Sequence, residues 1–324
     1  MPTEDASPPS AGAASPRPVQ DLVLLSARDL ARTIRSRQVS CVEVMQAFLD
    51  HIDRFNPQVN AIVSLQDRDG LVRQATERDR QLARGQWLGW MHGFPQAPKD
   101  LALTAGIPTT WGSPLFRDFV PQADAIIVGR ARRSGAILIG KTNVPEFGLG
   151  SQTYNPVFGP TGNAYDPART AGGSSGGAAA ALALRMLPVA DGSDMMGSLR
   201  NPAAYNNVIG FRPSFGRVPY GPTLEGFVQQ LGYEGPMGRT VTDVALLLSV
   251  QAGYDERSPL SIHQDPARFA EPLRRDVSGA RLAWLGDLGG YLPMEPGILE
   301  LCQNAFRVFE SIGCAVEPTL PDYP

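Results

Sequence analysis

Gly172-Gly-Ser-Ser-Gly-Gly177 opens the stretch whose reading decides the fold. It runs without a break into Ala178-Ala-Ala-Ala-Leu-Ala183, then Leu187-Pro-Val-Ala190 and Asp191-Gly-Ser-Asp-Met-Met-Gly-Ser198. Side chains this small let a helix lie close against a sheet, so 177–185 reads as a helix packed on strands. Leu187–Ala190 reads as a strand and Asp191–Ser198 as a turn. Ser198 can cap a short helix over Leu199–Tyr205 that leads into a strand at Val208–Phe211. Two serine-bearing loops with permissive backbones are thus joined by one helix–strand unit, with Ser198 lying 24 residues beyond Ser174.

The same alternation extends in both directions. Upstream, Phe94–Pro98 and Ala136–Gly140 read as strands and Ala125–Ser134 as a helix. Downstream come helices at Val241–Gln251 and Ile298–Ile312, and strands at Arg281–Leu285 and Cys314–Glu317. Strands alternating with helices define an α/β chain, with helices packed on a mixed central sheet. Before this region lies a helical layer. It comprises a helix from Ser26 to Arg35, and a second one with a capping box at Ser40-Cys-Val-Glu43 and apolar residues Met45, Phe48, Ile52 and Phe55 at helical spacing. Asn56-Pro57 is expected to stop that helix. A short strand at Ala61–Leu65 and a charged helix at Arg68–Arg84 follow. Residues 1–19 are rich in Pro, Ala and Ser without apolar periodicity and read as a disordered tail, leaving 20–324 as the folded domain.

Composition narrows the function. The 324 residues include 34 glycines and 29 prolines, well above the average combined usage of about 12%, so much of the chain is shaped loop. Lys+Arg number 29 against 32 Asp+Glu, which gives no basic footprint for direct nucleic-acid binding. No apolar run approaches the ~18 residues of a membrane span. Cys41, Cys302 and Cys314 are too few and too scattered for a disulfide framework or a zinc site, and a reducing, cytoplasmic setting is expected. Only three histidines are present, His51, His92 and His263, so a base built on imidazole has few candidates.

Two glycine motifs are formal matches in the wrong context. Gly135-Ala-Ile-Leu-Ile-Gly-Lys-Thr142 fits the phosphate-loop pattern, but Ala-Ile-Leu-Ile suits a buried strand and Pro145 falls where the helix should run. Gly172-Gly-Ser-Ser-Gly176 fits the α/β-hydrolase elbow, but no strand precedes it and its only later histidine is His263, in the polar stretch Ser261–Gln264. That elbow stands as a rival mechanism.

Read whole, the stretch from Gly172 to Arg217 resembles the signature of the amidase signature family, serine amidohydrolases with a Ser–Ser–Lys triad. His92-Gly-Phe-Pro-Gln-Ala-Pro-Lys-Asp100 resembles the family segment that carries the catalytic Lys-Asp, and Gly140-Lys-Thr-Asn-Val-Pro-Glu-Phe147 matches a further block. Gly210–Pro219 and Gly235–Asp243 follow in family order, so the likeness covers 26–317. The resemblance implies the amidase signature fold, with Ser198 as nucleophile, Ser174 (after a cis peptide bond from Gly173) as proton bridge and Lys99 as base. It also implies an oxyanion site on the backbone of Met195, Met196 and Gly197, with no metal and no cofactor. Met195 and Met196 depart from the family, which has Thr or Ile and then Gly. Met196 is expected to need a backbone conformation natural to glycine, and to add bulk to the acyl pocket.

The chemistry is coherent with the residue types. A lysine must be desolvated or set near positive dipoles to be neutral near pH 7, and Lys99 ends the mostly apolar segment Phe94–Pro98. Asp194 and Arg200 are expected to hold the nucleophile loop by hydrogen bonding. The expected activity is cleavage of a carboxamide, aryl acylamide or carbamate C–N bond in a small molecule, by an enzyme that leaves room for a homodimer. The alternatives are the amidase component of a tRNA-dependent amidotransferase and a catalytically silent scaffold. Against the family the chain looks short at its C-terminus, and a truncated domain is expected.

Overall fold

A computed structural model describes residues 19–223, 225, 227 and 231–322. Most of the segment read as a disordered tail, residues 1–18, lies outside the described residues. The chain divides after Glu271 into two units.

The first unit begins with a 3-10 turn at Val19–Leu24 and then α1 (Ala27–Arg35), capped by the Ser26 hydroxyl, which accepts from the Asp29 N–H at 3.1 Å. The longer α2 (Cys41–Val59) starts with the full capping box: Ser40 Oγ accepts from the Glu43 N–H, and Glu43 accepts from the Ser40 N–H. Pro57 does not stop this helix. The missing proline N–H falls in the last turn, and the end is set at Asn60, which takes a left-handed conformation with φ 51°. The Asn56 side chain accepts from the Ala61 and Ile62 N–H groups and so turns the chain into β1 (Ile62–Val63). Helix α3 (Arg68–Ala83) packs on α2, and the two helices bury Val44, Phe48, Leu71 and Ala75.

The strands that follow are short and belong to several small sheets. β2 (Pro95–Gln96) pairs parallel with β3 (Ile137–Leu138), and α4 (Ile126–Arg133) lies between them in sequence. β4 (Lys141–Thr142) pairs antiparallel with β1. The parallel run continues as backbone bonds from the Thr142 N–H to Pro98 and from the Asp100 N–H to Thr142, which brings Lys99 level with Thr142. Helix α5 (Gly176–Ala183) is buried from Gly176 to Leu182. It is followed by β5 (Ala190–Asp194), α6 (Arg200–Tyr205), β6 (Ile209–Gly210), β7 (Tyr233–Gly238) and α7 (Val241–Gln251). These strands form an antiparallel sheet in the order β5-β7-β6.

The α/β reading holds, with the sheet in separate pieces rather than one continuous layer. Another local expectation fails. Asp191-Gly-Ser-Asp194 is strand, not turn, and the strand sits later than Leu187–Ala190. Its residues are poor strand formers, but pairing with β7 over five residue pairs outweighs their preference.

The second unit, described over residues 272–322, holds a parallel pair, β8 (Arg281–Trp284) and β9 (Ala315–Pro318), joined through α8 (Ile298–Gln303) and α9 (Phe306–Ser311). The single helix expected over 298–312 is broken between Gln303 and Phe306.

Helix α5 depends on Gly177. A Cβ there would come within 2.3 Å of the Asn143 nitrogen and 2.6 Å of the Ala61 carbonyl oxygen, both backbone atoms that cannot swing aside. Gly177→Ala is expected to destabilise the fold by about 1–3 kcal/mol. Gly129→Ala, on α4 with no atom closer than 3.4 Å, should instead stabilise it by roughly 0.5–1 kcal/mol. Urea unfolding of the two variants reads the opposite signs.

Candidate active site

Two segments besides its own meet at the Lys99 side chain, which is 2% exposed. Its Nζ lies 2.7 Å from Ser174 Oγ, 2.8 Å from Ser175 Oγ and 2.8 Å from Ser193 Oγ. The Lys99 N–H donates to Asp191 Oδ2 at 2.9 Å, and Gln96 Nε2 donates to Asp191 Oδ1 at 3.0 Å, so Asp191 ties the lysine segment to β5. Burial takes Lys99 from the ordinary lysine range down to about 7, against the opposing pull of Asp191, Asp194 and Glu234. An ammonium there has three N–H groups for three hydroxyls; the amine offers its lone pair to one hydroxyl proton.

The Gly173–Ser174 peptide is cis. Thr153 Oγ1 donates to the Gly172 carbonyl at 2.8 Å and accepts from the Gly176 N–H at 3.1 Å, which clamps both ends of the loop. The Ser175 N–H donates to the Ser198 carbonyl at 3.2 Å, so the two serine loops are joined one residue from Ser174. Ser198 is half-buried, and its hydroxyl is not among the groups bonded to Lys99.

Asp194 organises the loop before Ser198. Its fully buried carboxylate accepts from the Gly197 N–H at 2.8 Å, the Leu199 N–H at 3.1 Å and Arg200 Nε at 3.0 Å, with Arg200 Nη2 at 3.1 Å and Arg212 Nε at 3.7 Å. Burial pushes the acid up, but the donors from Arg200, Gly197 and Leu199 outweigh it and hold Asp194 below the usual carboxylate range. The Gly197 N–H is therefore already committed. Gly197 supplies the left-handed residue of the loop, φ 113°, and a Cβ there would meet the Asn201 side chain at 2.8 Å. Met196 is not in that region, so the expected conformational penalty at this methionine does not arise. Met195 is 48% exposed and Met196 86% exposed.

The remaining candidates lie outside the groups bonded to Lys99. His51 Nε2 is bonded to the Leu184 carbonyl at 2.7 Å, and buried His92 Nε2 to that of Arg78 at 2.9 Å. His263 stacks on Tyr254 with ring centroids 3.7 Å apart and is not among the groups on Lys99 or Ser174. Lys141, the lysine of the phosphate-loop pattern, lies in a strand with its Nζ on Thr104 Oγ1 at 2.6 Å. All three cysteines are free, no His/Cys/Asp/Glu cluster suited to a metal occurs among the described residues, and none of their helices is long and apolar enough to cross a membrane.

Ser193, Asp191 and Glu234 escaped the sequence reading. Asp191 and Ser193 alternate along a strand and so share a face, a signal hidden once the segment is read as a turn.

An α/β chain built round a buried lysine and two serine loops has close counterparts. A family model described as Amidase matches residues 43–324. An acylamidase of Rhodococcus erythropolis is 39% identical over 305 residues, covering 94% of this chain and 63% of that protein. A glutamyl-tRNA(Gln) amidotransferase subunit from Acidothermus cellulolyticus is 40% identical over 300 residues, covering 92% of this chain and 59% of the relative. The crystal structure of a bacterial aryl acylamidase superposes with a TM-score of 0.86 at 34% identity, over 93% of this chain and 62% of that one. The chain belongs to the amidase signature family. It spans about three fifths of the length of these relatives.

Asp194→Ala leaves the Gly197 and Leu199 N–H groups without their acceptor, and a loss of stability on the order of 3 kcal/mol is expected. Because this carboxyl is held below its unfolded value, its contribution is present above about pH 4 and fades as the pH falls through the lower folded value. Wild type and D194A should therefore converge in stability towards acid pH in urea titrations.

Proposed function

We propose that the chain carries the catalytic machinery of a serine amidohydrolase acting on a small-molecule carboxamide, aryl acylamide or carbamate. The observation that carries this reading is the Lys99 Nζ, buried and 2.7 Å from Ser174 Oγ on a loop bonded to the Ser198 backbone. With the lysine neutral, Ser174 passes its proton to Nζ and takes the Ser198 proton as Ser198 Oγ bonds to the substrate carbonyl carbon. The tetrahedral oxyanion collapses, the C–N bond breaks and the Lys99 ammonium returns its proton through Ser174 to the leaving nitrogen. Water then cleaves the acyl ester by the same relay.

Oxyanion stabilisation falls to the backbone N–H groups ahead of Ser198. Since the Gly197 N–H serves Asp194, the donors assigned here are those of Met195 and Met196, with Ser198 itself. The acylamidase and aryl acylamidase relatives support an acyl substrate. The exposed Met196 side chain belongs on this reading to the acyl pocket, and Met196→Gly should change the ranking of acyl chain lengths. An unchanged ranking removes Met196 from the pocket.

Ser198→Ala, Ser174→Ala and Lys99→Ala are each expected to lower turnover by a factor on the order of 10³ or more, while His263→Ala keeps it. Loss on the histidine variant alone would restore the elbow mechanism. The base must be unprotonated, so kcat/KM should climb through about pH 7 and then level off. A fluorophosphonate should label Ser198, which a silent scaffold would not allow.

The amidotransferase relatives favour a second reading, in which the same site releases ammonia from glutamine within a complex. Glutaminase activity and co-purifying partner proteins would support it over a stand-alone acylamidase.

A further inference from the structure

Beside the lysine lies an acid that the relay does not use. Glu234 on β7 is directly opposite Ser193 on β5 in the antiparallel register, and residues so paired place their side chains on the same face about 5 Å apart at Cβ. Ser193 is one of the three hydroxyls on Lys99, and Asp191 lies two residues along the same strand face. Glu234 is 6% exposed, and its Oε2 is completely buried without a hydrogen-bond partner.

The two acids on this face differ in what they are given. Asp191 accepts from Gln96 Nε2 and from the Lys99 N–H, as an anion needs. Glu234 receives no donor among the described residues, and its Oε2 is sealed from solvent. A buried carboxylate with no donors is far more costly than a buried carboxylic acid, so of the two it is Glu234 that keeps the proton. We propose that Glu234 is a positioning residue that stays protonated at neutral pH and so keeps a further negative charge away from Lys99, easing release of the lysine proton. This rests on the reading of Lys99 as the base.

The charged groups facing Glu234 can be named. Lys99 and Lys141 favour its anion and Asp191 opposes it; burial outweighs them and carries the acid up to about 8. Helix α5 brings no charge to the face, and Asp243 of α7 accepts instead from the Arg28 N–H. If the Glu234 proton leaves, the new anion raises the proton affinity of Lys99, since the coupling is reciprocal. The exchange balances without a further reactant: lysine ammonium plus glutamate carboxylate on one side, lysine amine plus glutamic acid on the other.

Two measurements on the intact chain test this. The infrared C=O stretch of a protonated carboxyl should be present at pH 7 in wild type, disappear above about pH 9, and be missing from Glu234→Gln at pH 7. Lys99→Met should move the disappearance of that band to higher pH, because a cation that favours the anion is gone. In parallel, the rate of Ser198 labelling by a fluorophosphonate should rise with pH. E234Q should match wild type up to about pH 7, because glutamine is as neutral as the protonated acid. Above about pH 8, where its carboxyl ionises, wild type should lag behind E234Q. A carboxyl already ionised at pH 6, an E234Q profile displaced from wild type below pH 7, or two profiles that coincide at every pH, overturns the proposal. If no variant and not even wild type is labelled, the hydrolase reading fails, and the infrared titration still decides whether Glu234 holds the proton and feels Lys99.

Discussion

A lysine side chain that is almost wholly out of water must have every N–H answered, and at Lys99 the answers come from three serine hydroxyls on two separate segments, 75 or more positions away in sequence. That requirement dictates much of the surrounding architecture. Ser174 and Ser175 must arrive on the loop ahead of α5, and Ser193 must arrive on β5, so the helix and the strand have to converge on one point. Convergence at that range is possible only because α5 is built of glycine, alanine and leucine, and touches the β1–β4 backbone at Gly177. The main chain of Lys99 is fixed separately through Asp191, so the side chain is held from both ends.

Charge around this point follows from the count of donors offered to each acid. Asp194 has two backbone N–H groups and an arginine, and lies below the ordinary range despite its burial. Asp191 has two donors and is pushed up by burial; Glu234 has none and is pushed up to about 8. Three carboxyl groups within five positions on two paired strands thus occupy three different electrostatic situations. Sharing a sheet does not make them equivalent. The segments packed against each one decide which of them is given hydrogen-bond donors.

Legibility in the sequence divides along the same physical line. Capping signals act locally, so α1 and the start of α2 can be read from Ser26 and Ser40–Glu43. The Lys99–Ser174 pairing was readable only through the order of the motif blocks, since nothing local links residues 75 positions apart. The strand at Ala190–Asp194 was not readable, because it exists through its pairing with β7 rather than through any preference of Asp, Gly or Ser. Ser193 and Glu234 were lost with it. Pro57 misleads for a related reason: a proline in the final turn forfeits one hydrogen bond, and the left-handed Asn60 is what ends the helix.

Burial alone does not identify the base. Lys141 is as deeply buried as Lys99 and is lowered to about 8 by the same desolvation. The difference lies in the partners. Lys141 donates to the Ala102 carbonyl and to the Thr104 hydroxyl, which in turn donates to that same carbonyl at 3.0 Å. A carbonyl has no proton to give, and the hydroxyl is turned away into the backbone, so any proton that Lys141 loses has nowhere productive to be replaced from. Lys99 instead faces three hydroxyls, each able to donate as well as accept, one of them on a loop bonded to Ser198. A desolvated amine becomes a candidate base when its neighbours can hand protons on; with neighbours that only accept, the same desolvated amine is a tie between strands.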